Sequence, residues 1–157
     1  MTLTLTSNGF ENGAAMPPAY TGDGKEISPP LAWVGAPPGT KSFALIVDDP
    51  DAPDPKAPKR TFVHWVLYDL PATATALPAG ASNGGLPAGT REGRNDVGRA
   101  RYAGPSPPIG RHRYFFKLYA LDAALGNLGQ LTKADLLKAM EGHVLGQAEL
   151  IGTYERK

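Results

Sequence analysis

The chain has 157 residues, of which 41% are hydrophobic and 20% are charged, and its formal net charge is +1. These values predict one soluble domain that spans residues 1–157. The near-neutral charge gives no reason to expect binding to nucleic acid or insertion into a membrane. The sequence contains no cysteine, which excludes disulfide bonds and thiolate metal sites.

Short apolar runs between turn residues predict a chain built mainly from strands. Leu3 and Leu5 alternate with threonine, which is typical of a half-buried strand and not of a signal peptide, so a cytoplasmic location is expected. The run at residues 42–48 is almost continuously apolar, as in a strand covered on both faces. Further strands are predicted at residues 31–34, 61–69, 114–121 and 145–154.

Residues 72–100 show no periodicity, and their length predicts an ordered functional loop. Three apolar residues could attach this loop to the core: Leu77, Leu86 and Val97. Three of its arginines could form a contact surface for a partner protein: Arg91, Arg94 and Arg99. The alternative is that these arginines only solvate the surface.

One helix is predicted in the C-terminal half of the chain. Thr132 is a candidate N-cap with Asp135 three residues later, and Gly142 is a candidate C-terminal glycine. Several strands with a single helix do not make an alternating β-α-β pattern. The sequence therefore predicts a mainly β fold, a mostly antiparallel β-sandwich or a related architecture with one short helix.

Acidic residues and a histidine lie near the ends of two predicted strands. Asp48, Asp49 and Asp51 follow the first strand, and His64 lies in the next. In an extended chain Asp49 and Asp51 point the same way, roughly 6.5 Å apart. One of them could orient a histidine ring, and the alternative is that they cap turns. The Ala52–Pro53 bond is a candidate for the cis form.

Two histidines are candidates for one shared pocket. His64 lies two residues from both Phe62 and Val66, which predicts that the three side chains share one face of a strand. His112 follows a loop rich in glycine and proline and precedes Tyr114 in an aromatic strand. Loops held by a rigid scaffold are where binding residues concentrate, so His112 is expected at a site.

Three kinds of site fit these residue types. Two histidines and two carboxylates could bind zinc or iron, although no closely spaced ligand motif is present. A hydrolase could use the carboxylates as acid and base, or Ser106 as a nucleophile near His112. A small-anion pocket could use the histidines, the Tyr114 hydroxyl and backbone N–H groups near Gly104. Spacing alone favours the anion pocket only slightly.

Two motif regions resemble the phosphatidylethanolamine-binding protein (PEBP) family, which includes the Raf kinase inhibitor proteins. The first region reads Asp49-Pro50-Asp51-Ala52-Pro53 and continues at His64-Trp65. The second spans residues 102–116 and reads Tyr-x-Gly-Pro-x-Pro-Pro-x-Gly-x-His-Arg-Tyr-x-Phe. The short length and the C-terminal residues are similar to the bacterial YbhB/YbcL-type branch of this family.

The resemblance implies a Greek-key β-sandwich with a small pocket for phosphate or a phosphoryl head group. Carried over by motif position, eight residues form or support this pocket: Asp49, Asp51, Pro53, His64, Trp65, Gly104, His112 and Tyr114. It further implies a protein that is not an enzyme, uses no cofactor or metal, modulates a partner such as a kinase or protease, and forms a homodimer. A hydrolase acting through Asp49, His64 and His112 is the alternative.

The charge of the histidines gives a further expectation. His64 and His112 would donate hydrogen bonds to the ligand, with Asp49 keeping one imidazole partly protonated, because a nearby carboxylate favours the charged form. Phosphate binding would then weaken as the pH rises through the histidine range.

Overall fold

The computed structural model describes residues 2–156, which form two β-sheets and one α-helix. The smaller sheet has the order β1-β2-β5, and the larger sheet has the order β6-β4-β3-β7-β8. The strand bounds are β1 Thr4–Thr6, β2 Leu31–Val34, β3 Ser42–Ala52, β4 Arg60–Pro71, β5 Ala76–Leu77, β6 Arg91–Glu92, β7 Arg111–Leu121 and β8 Val144–Glu155. All pairings between these strands are antiparallel. The mainly β prediction is confirmed.

Strand β3 lies at the centre of the larger sheet, between β4 and β7. Its first eight residues are all buried, which confirms that this strand is covered on both faces. Side chains from alternate positions of β3 enter two different apolar clusters. Phe43, Leu45 and Val47 face the smaller sheet, whereas Ala44 and Ile46 face the helix.

The main core lies between the two sheets. Trp33 of β2 packs against Phe43 of β3, with ring centroids 5.6 Å apart. Leu3 and Leu5 contribute to this core, so the period-two alternation at the N-terminus is confirmed. The core stops short of the ends of β3, β4 and β7 that carry the polar motif residues.

The helix, α1, spans Lys133–Met140 and covers the other face of the larger sheet. The Thr132 hydroxyl accepts a hydrogen bond from the Asp135 backbone N–H at 3.2 Å. Gly142 follows the last turn with φ +79°, a conformation that favours glycine. Both predicted helix ends are therefore confirmed. Leu136 is fully buried against the sheet, whereas Leu137 is 38% exposed.

The long loop at residues 72–100 contains structure that the sequence did not reveal. The two-residue strands β5 and β6 lie within it and pair with β2 and β4. Leu77 is buried and Leu86 packs on the core, as predicted, but Val97 is 52% exposed and does not attach the loop. Two residues are too few to show an alternation of apolar and polar side chains, and the partners of these strands are distant in sequence. The sequence therefore gave no signal for either strand.

No helix within residues 2–156 is long and apolar enough to cross a membrane.

Candidate ligand-binding pocket

A cavity of about 510 Å³ opens where the ends of β3, β4 and β7 meet the loop at residues 103–108. Six of the eight predicted pocket residues line it: Asp49, Pro53, His64, Gly104, His112 and Tyr114. The antiparallel order of the three strands explains why two motifs distant in sequence meet here. The C-terminal end of β3 lies between the N-terminal ends of β4 and β7.

His64 reaches the cavity because β4 carries an extra residue at this point. Val47 pairs with Trp65, but the next residue of β3, Asp48, pairs with Val63. His64 therefore has no partner residue opposite it in β3. Such a bulge changes which face a side chain occupies. Phe62 and His64 remain neighbours, with ring centroids 4.9 Å apart. Val66 instead packs on the helix side, so the prediction that it shares the face of His64 is wrong.

The hydrogen bonds of His64 fix its tautomer. Its Nδ1–H donates to the Ala103 carbonyl oxygen at 2.8 Å, and the Ala103 N–H donates back to the His64 carbonyl oxygen at 2.9 Å. A backbone carbonyl can only accept, so Nδ1 carries the proton and Nε2 of the neutral ring is an acceptor. Burial lowers the pKa of His64, because the charged ring would lose its hydration. The expectation that His64 donates to the ligand as a cation is therefore not met near neutral pH.

Asp49 and His112 form a buried pair. The His112 Nδ1–H donates to Asp49 Oδ2 at 2.5 Å, and the side chains are 1% and 4% exposed for His112 and Asp49 respectively. Nε2 of His112 donates to two carbonyl oxygens, those of Pro53 at 3.0 Å and Ile109 at 2.8 Å. All of these partners are acceptors, so only a doubly protonated ring satisfies them. With Asp49 ionised, the pair carries no net charge, and it leaves no N–H of His112 for a ligand.

Asp49 combines the two roles that the sequence left open. Its Oδ1 accepts the Asp51 backbone N–H at 2.7 Å, which is a turn-capping bond, while its Oδ2 holds His112. The neighbouring Ala52–Pro53 peptide is cis.

Gly104 lines the cavity, but its backbone N–H is already used. It donates to Glu26 Oε2 at 3.0 Å, so Gly104 itself offers no free backbone donor to a ligand. A Cβ at position 104 would lie 2.8 Å from Glu26 Cγ and 2.9 Å from the Tyr20 carbonyl oxygen, which explains why a glycine is needed here. Glu26 itself has φ +58°, an uncommon conformation for a residue with a side chain.

The rings of Tyr114 and His64 form a T-shaped pair with centroids 5.2 Å apart, and Tyr114 stacks on His112. Burial raises its pKa well above the ordinary tyrosine value, so the hydroxyl keeps its proton. Within residues 2–156, neither this hydroxyl nor Nε2 of His64 has a hydrogen-bond partner. These two atoms are the polar groups of the buried wall that remain available to a ligand.

The outer part of the cavity carries positive charge. Lys59 and Arg60 are exposed residues that line it, and Arg60 donates to Asp96 at 3.0 Å. The exposed Ser106 lines the same part. Phe62, Pro107 and Pro108 supply apolar wall.

Asp48, Asp51 and Trp65 do not line the cavity. Asp51 accepts three hydrogen bonds from Arg113, at 2.9, 3.0 and 2.9 Å, which lower the pKa of its carboxyl group. Trp65 is fully buried in the main core and donates to Glu92 at 2.8 Å. Asp48 lies on the helix side, where it accepts from Lys117 and Lys133. Asp51 and Trp65 therefore support the strands around the pocket and do not form its wall.

A metal site is not favoured by the geometry. Over the described part of the chain, no group of three or more histidine and carboxylate side chains is placed to hold a metal ion.

A family model described as phosphatidylethanolamine-binding protein matches residues 6–155. The chain belongs to this family. A UPF0098 protein of Methanothermobacter thermautotrophicus is 48% identical over 98% of this chain and 99% of its own length. The crystal structure of E. coli YbcL, described as a new member of the mammalian PEBP family, is 34% identical, covers 100% of both chains and has a TM-score of 0.90. A PEBP homologue from Chlamydia trachomatis is 38% identical, covers 99% of both chains and also has a TM-score of 0.90.

The PEBP membership, the likeness to YbcL and the β-sandwich fold that the motifs implied are thus confirmed. Sequence reasoning about this PEBP member missed Glu26, Phe62, Lys59 and Arg60 as lining residues. Phe62 could have been found from its spacing of two from His64. Glu26 carries no such signal, because it lies in an irregular loop and reaches the cavity only through its contact with Gly104.

Proposed function

We propose that this PEBP member binds a phosphate-like anion or phosphoryl head group in the cavity and that it is not an enzyme. The observation that carries the proposal is the pair of unpartnered polar atoms on the buried wall, His64 Nε2 and the Tyr114 hydroxyl, within residues 2–156. A phosphate group that carries a hydrogen can bond to both atoms at once, because its P–OH donates to His64 Nε2 and another of its oxygens accepts from the Tyr114 hydroxyl. The buried groups around them are already satisfied, so binding requires no rearrangement of the wall.

The charge distribution supports an anionic ligand. The doubly protonated His112 ring lies in the wall, and Lys59 and Arg60 lie at the outer part of the cavity. Cationic groups around a cleft raise the local concentration of anions. Asp49 balances the charge of His112, and Asp96 offsets part of that of Arg60, so Lys59 and Arg60 carry the attraction and the expected affinity is moderate.

The hydrogen bonds of His112 weigh against the hydrolase alternative. A general base needs a nitrogen with a free lone pair within reach of the substrate. Both nitrogens of His112 donate to acceptors within the protein, so Asp49 and His112 do not form a working acid–base pair. Ser106 is exposed and has no hydrogen bond to a histidine within residues 2–156. His64 Nε2 keeps a free lone pair within residues 2–156, so the hydrolase alternative depends on this ring, and the substrate test with His64→Ala addresses it.

The test is titration calorimetry with inorganic phosphate on the wild type, Tyr114→Phe and Tyr119→Phe. The first substitution removes a hydroxyl with no protein partner, so folding is preserved and phosphate affinity should fall about five- to tenfold, as expected for one hydrogen bond. Tyr119 lies on the opposite face of the same strand, and its substitution should leave the affinity unchanged.

Absence of phosphate binding at millimolar concentration would contradict the anion pocket. Turnover of a phosphoester, ester or peptide substrate that disappears in His64→Ala would instead favour the hydrolase. The partner kinase or protease and the homodimer are suggested by the family resemblance, and the cytoplasmic location is an expectation from the sequence. All three stay predictions.

A further inference from the structure

The cavity contains more hydrogen-bond acceptors than donors on its buried wall. Nε2 of the neutral His64 ring is an acceptor, and the half-buried Glu26 carboxylate also lines the cavity. The Tyr114 hydroxyl is the buried donor that faces them. A ligand that consists only of acceptor oxygens does not match this wall, whatever its charge.

The acceptor at His64 is held in place by the backbone. The reciprocal bonds between His64 and Ala103 prevent Nδ1 from releasing its proton to the other ring nitrogen without losing a buried bond. Asp48, Asp49 and Asp96 favour the charged ring, but loss of hydration outweighs them and lowers the pKa of His64. Nε2 therefore presents a lone pair above the ordinary histidine pKa of 6.5.

Glu26 is a second acceptor fixed by the fold. Its Oε2 accepts the Gly104 N–H at 3.0 Å, and its Oε1 has no hydrogen-bond partner within residues 2–156. The loop that carries it is attached at two points. Gly22 N–H donates to the Pro105 carbonyl oxygen at 2.8 Å, and Asp23 accepts from Tyr154 at 2.7 Å.

We infer that this pocket selects phosphate groups that carry their own hydrogen, a P–OH, over anions of the same shape that lack one. The P–OH donates to His64 Nε2 or to Glu26, while an unprotonated oxygen of the same group accepts from Tyr114. An anion without hydrogen places its lone pairs against these acceptors and leaves the buried His64 Nε2 unsatisfied, which costs binding free energy. The inference rests on the proposed function and names its ligand class: inorganic phosphate and protonated phosphomonoesters, not phosphodiesters.

The test compares three anions by calorimetry at about pH 7.5, where histidine at its ordinary pKa is neutral. Inorganic phosphate carries at least one P–OH at this pH. Sulfate has the same shape but no hydrogen, and dimethyl phosphate has the phosphodiester arrangement of a lipid head group, also without a P–OH. Phosphate should bind at least about tenfold more tightly than either, since one unpaired buried acceptor accounts for that ratio.

Each outcome separates the inference from the proposed function. Equal binding of phosphate and sulfate would overturn the selectivity and leave the anion pocket standing. Tighter binding of dimethyl phosphate would overturn it in favour of a diester head group. No binding of any of the three at millimolar concentration would overturn the anion pocket itself.

A variant test locates the selectivity within the cavity. Glu26→Gln keeps an oxygen for the Gly104 N–H and replaces the second acceptor with an amide donor, so sulfate affinity should rise and the phosphate-to-sulfate ratio should fall severalfold. Glu11→Gln makes the same chemical change at an exposed position and should leave the ratio unchanged. A ratio that is the same in Glu26→Gln as in the wild type would overturn the role of Glu26.

Discussion

Replacing Asp49 with asparagine tests whether the buried ring of His112 is charged. The substitution keeps the shape of the side chain, and the amide oxygen can still accept the Asp51 N–H. It removes the negative charge that lies 2.5 Å from Nδ1 of a ring that is 1% exposed. The ring must then stay charged without a counter-ion or give up its Nδ1 proton.

The magnitude follows from the burial of both partners. Removing one partner of a buried ion pair costs about 3–5 kcal/mol. The amide of Asp49→Asn can form a neutral hydrogen bond with the ring, so the lower end, about 3 kcal/mol, is expected. For a chain of this size each kcal/mol lowers the melting temperature by about 2–4 °C, which gives a decrease of roughly 6–12 °C.

Thermal and urea unfolding near pH 7 measure this loss, with Asp54→Asn as the matched control. Asp54 also caps a turn, accepting the Lys56 N–H at 2.9 Å, but this bond is exposed, and the Asp54 carboxylate has no charged partner within residues 2–156. Its substitution should change the free energy of unfolding by no more than about 0.5 kcal/mol. A loss below about 1 kcal/mol in Asp49→Asn would refute the charged His112 ring.

Two further substitutions test the core and an ion pair of the strands. Leu136→Ala should lower the free energy of unfolding by about 2–5 kcal/mol, because Leu136 is fully buried between α1 and the sheet. Leu137→Ala, at a position 38% exposed, should lower it much less. Equal losses for the two variants in urea unfolding would contradict the packing of this helix. The hydrogen bonds from Arg113 lower the pKa of Asp51 in the folded state below its ordinary value of 3.8, so they contribute stability that is present above pH 3.8 and lost as the pH falls through the folded pKa. Asp51→Asn should therefore be less stable than the wild type at neutral pH and lose less stability on acidification. If the free energy of unfolding fell equally in both proteins as the pH was lowered, this contribution would be excluded.

Most of the fold could be predicted because its strands carry local signals. The apolar run of β3 and the alternation around Leu3 and Leu5 follow from burial on two faces or on one. The cap at Thr132 and the glycine at position 142 marked the ends of α1. The short strands β5 and β6 could not be predicted, since they are strands only by virtue of partners elsewhere in the sheets.

The sequence predicted which residues form the site better than it predicted the contacts that they make. The sequence brought together Asp49, His64, His112 and Tyr114, and the structure places all four at one cavity. The period of two failed at Val66, because a bulge in β4 shifts the register beside His64. Glu26 was missed because a loop residue has no pattern that predicts a contact with Gly104, 78 positions away.

The sequence by itself determined the family, the strand content and which residue types could form a pocket. The tertiary structure alone decided the hydrogen-bonding role of each group. His64 and His112 are the same residue type, yet one ring is a neutral acceptor and the other a charged donor. The difference arises because His64 meets one carbonyl oxygen and loses its hydration, whereas His112 meets acceptors at both nitrogens. Protonation depends on burial and on neighbours in space, and neither can be determined from the residues adjacent in sequence.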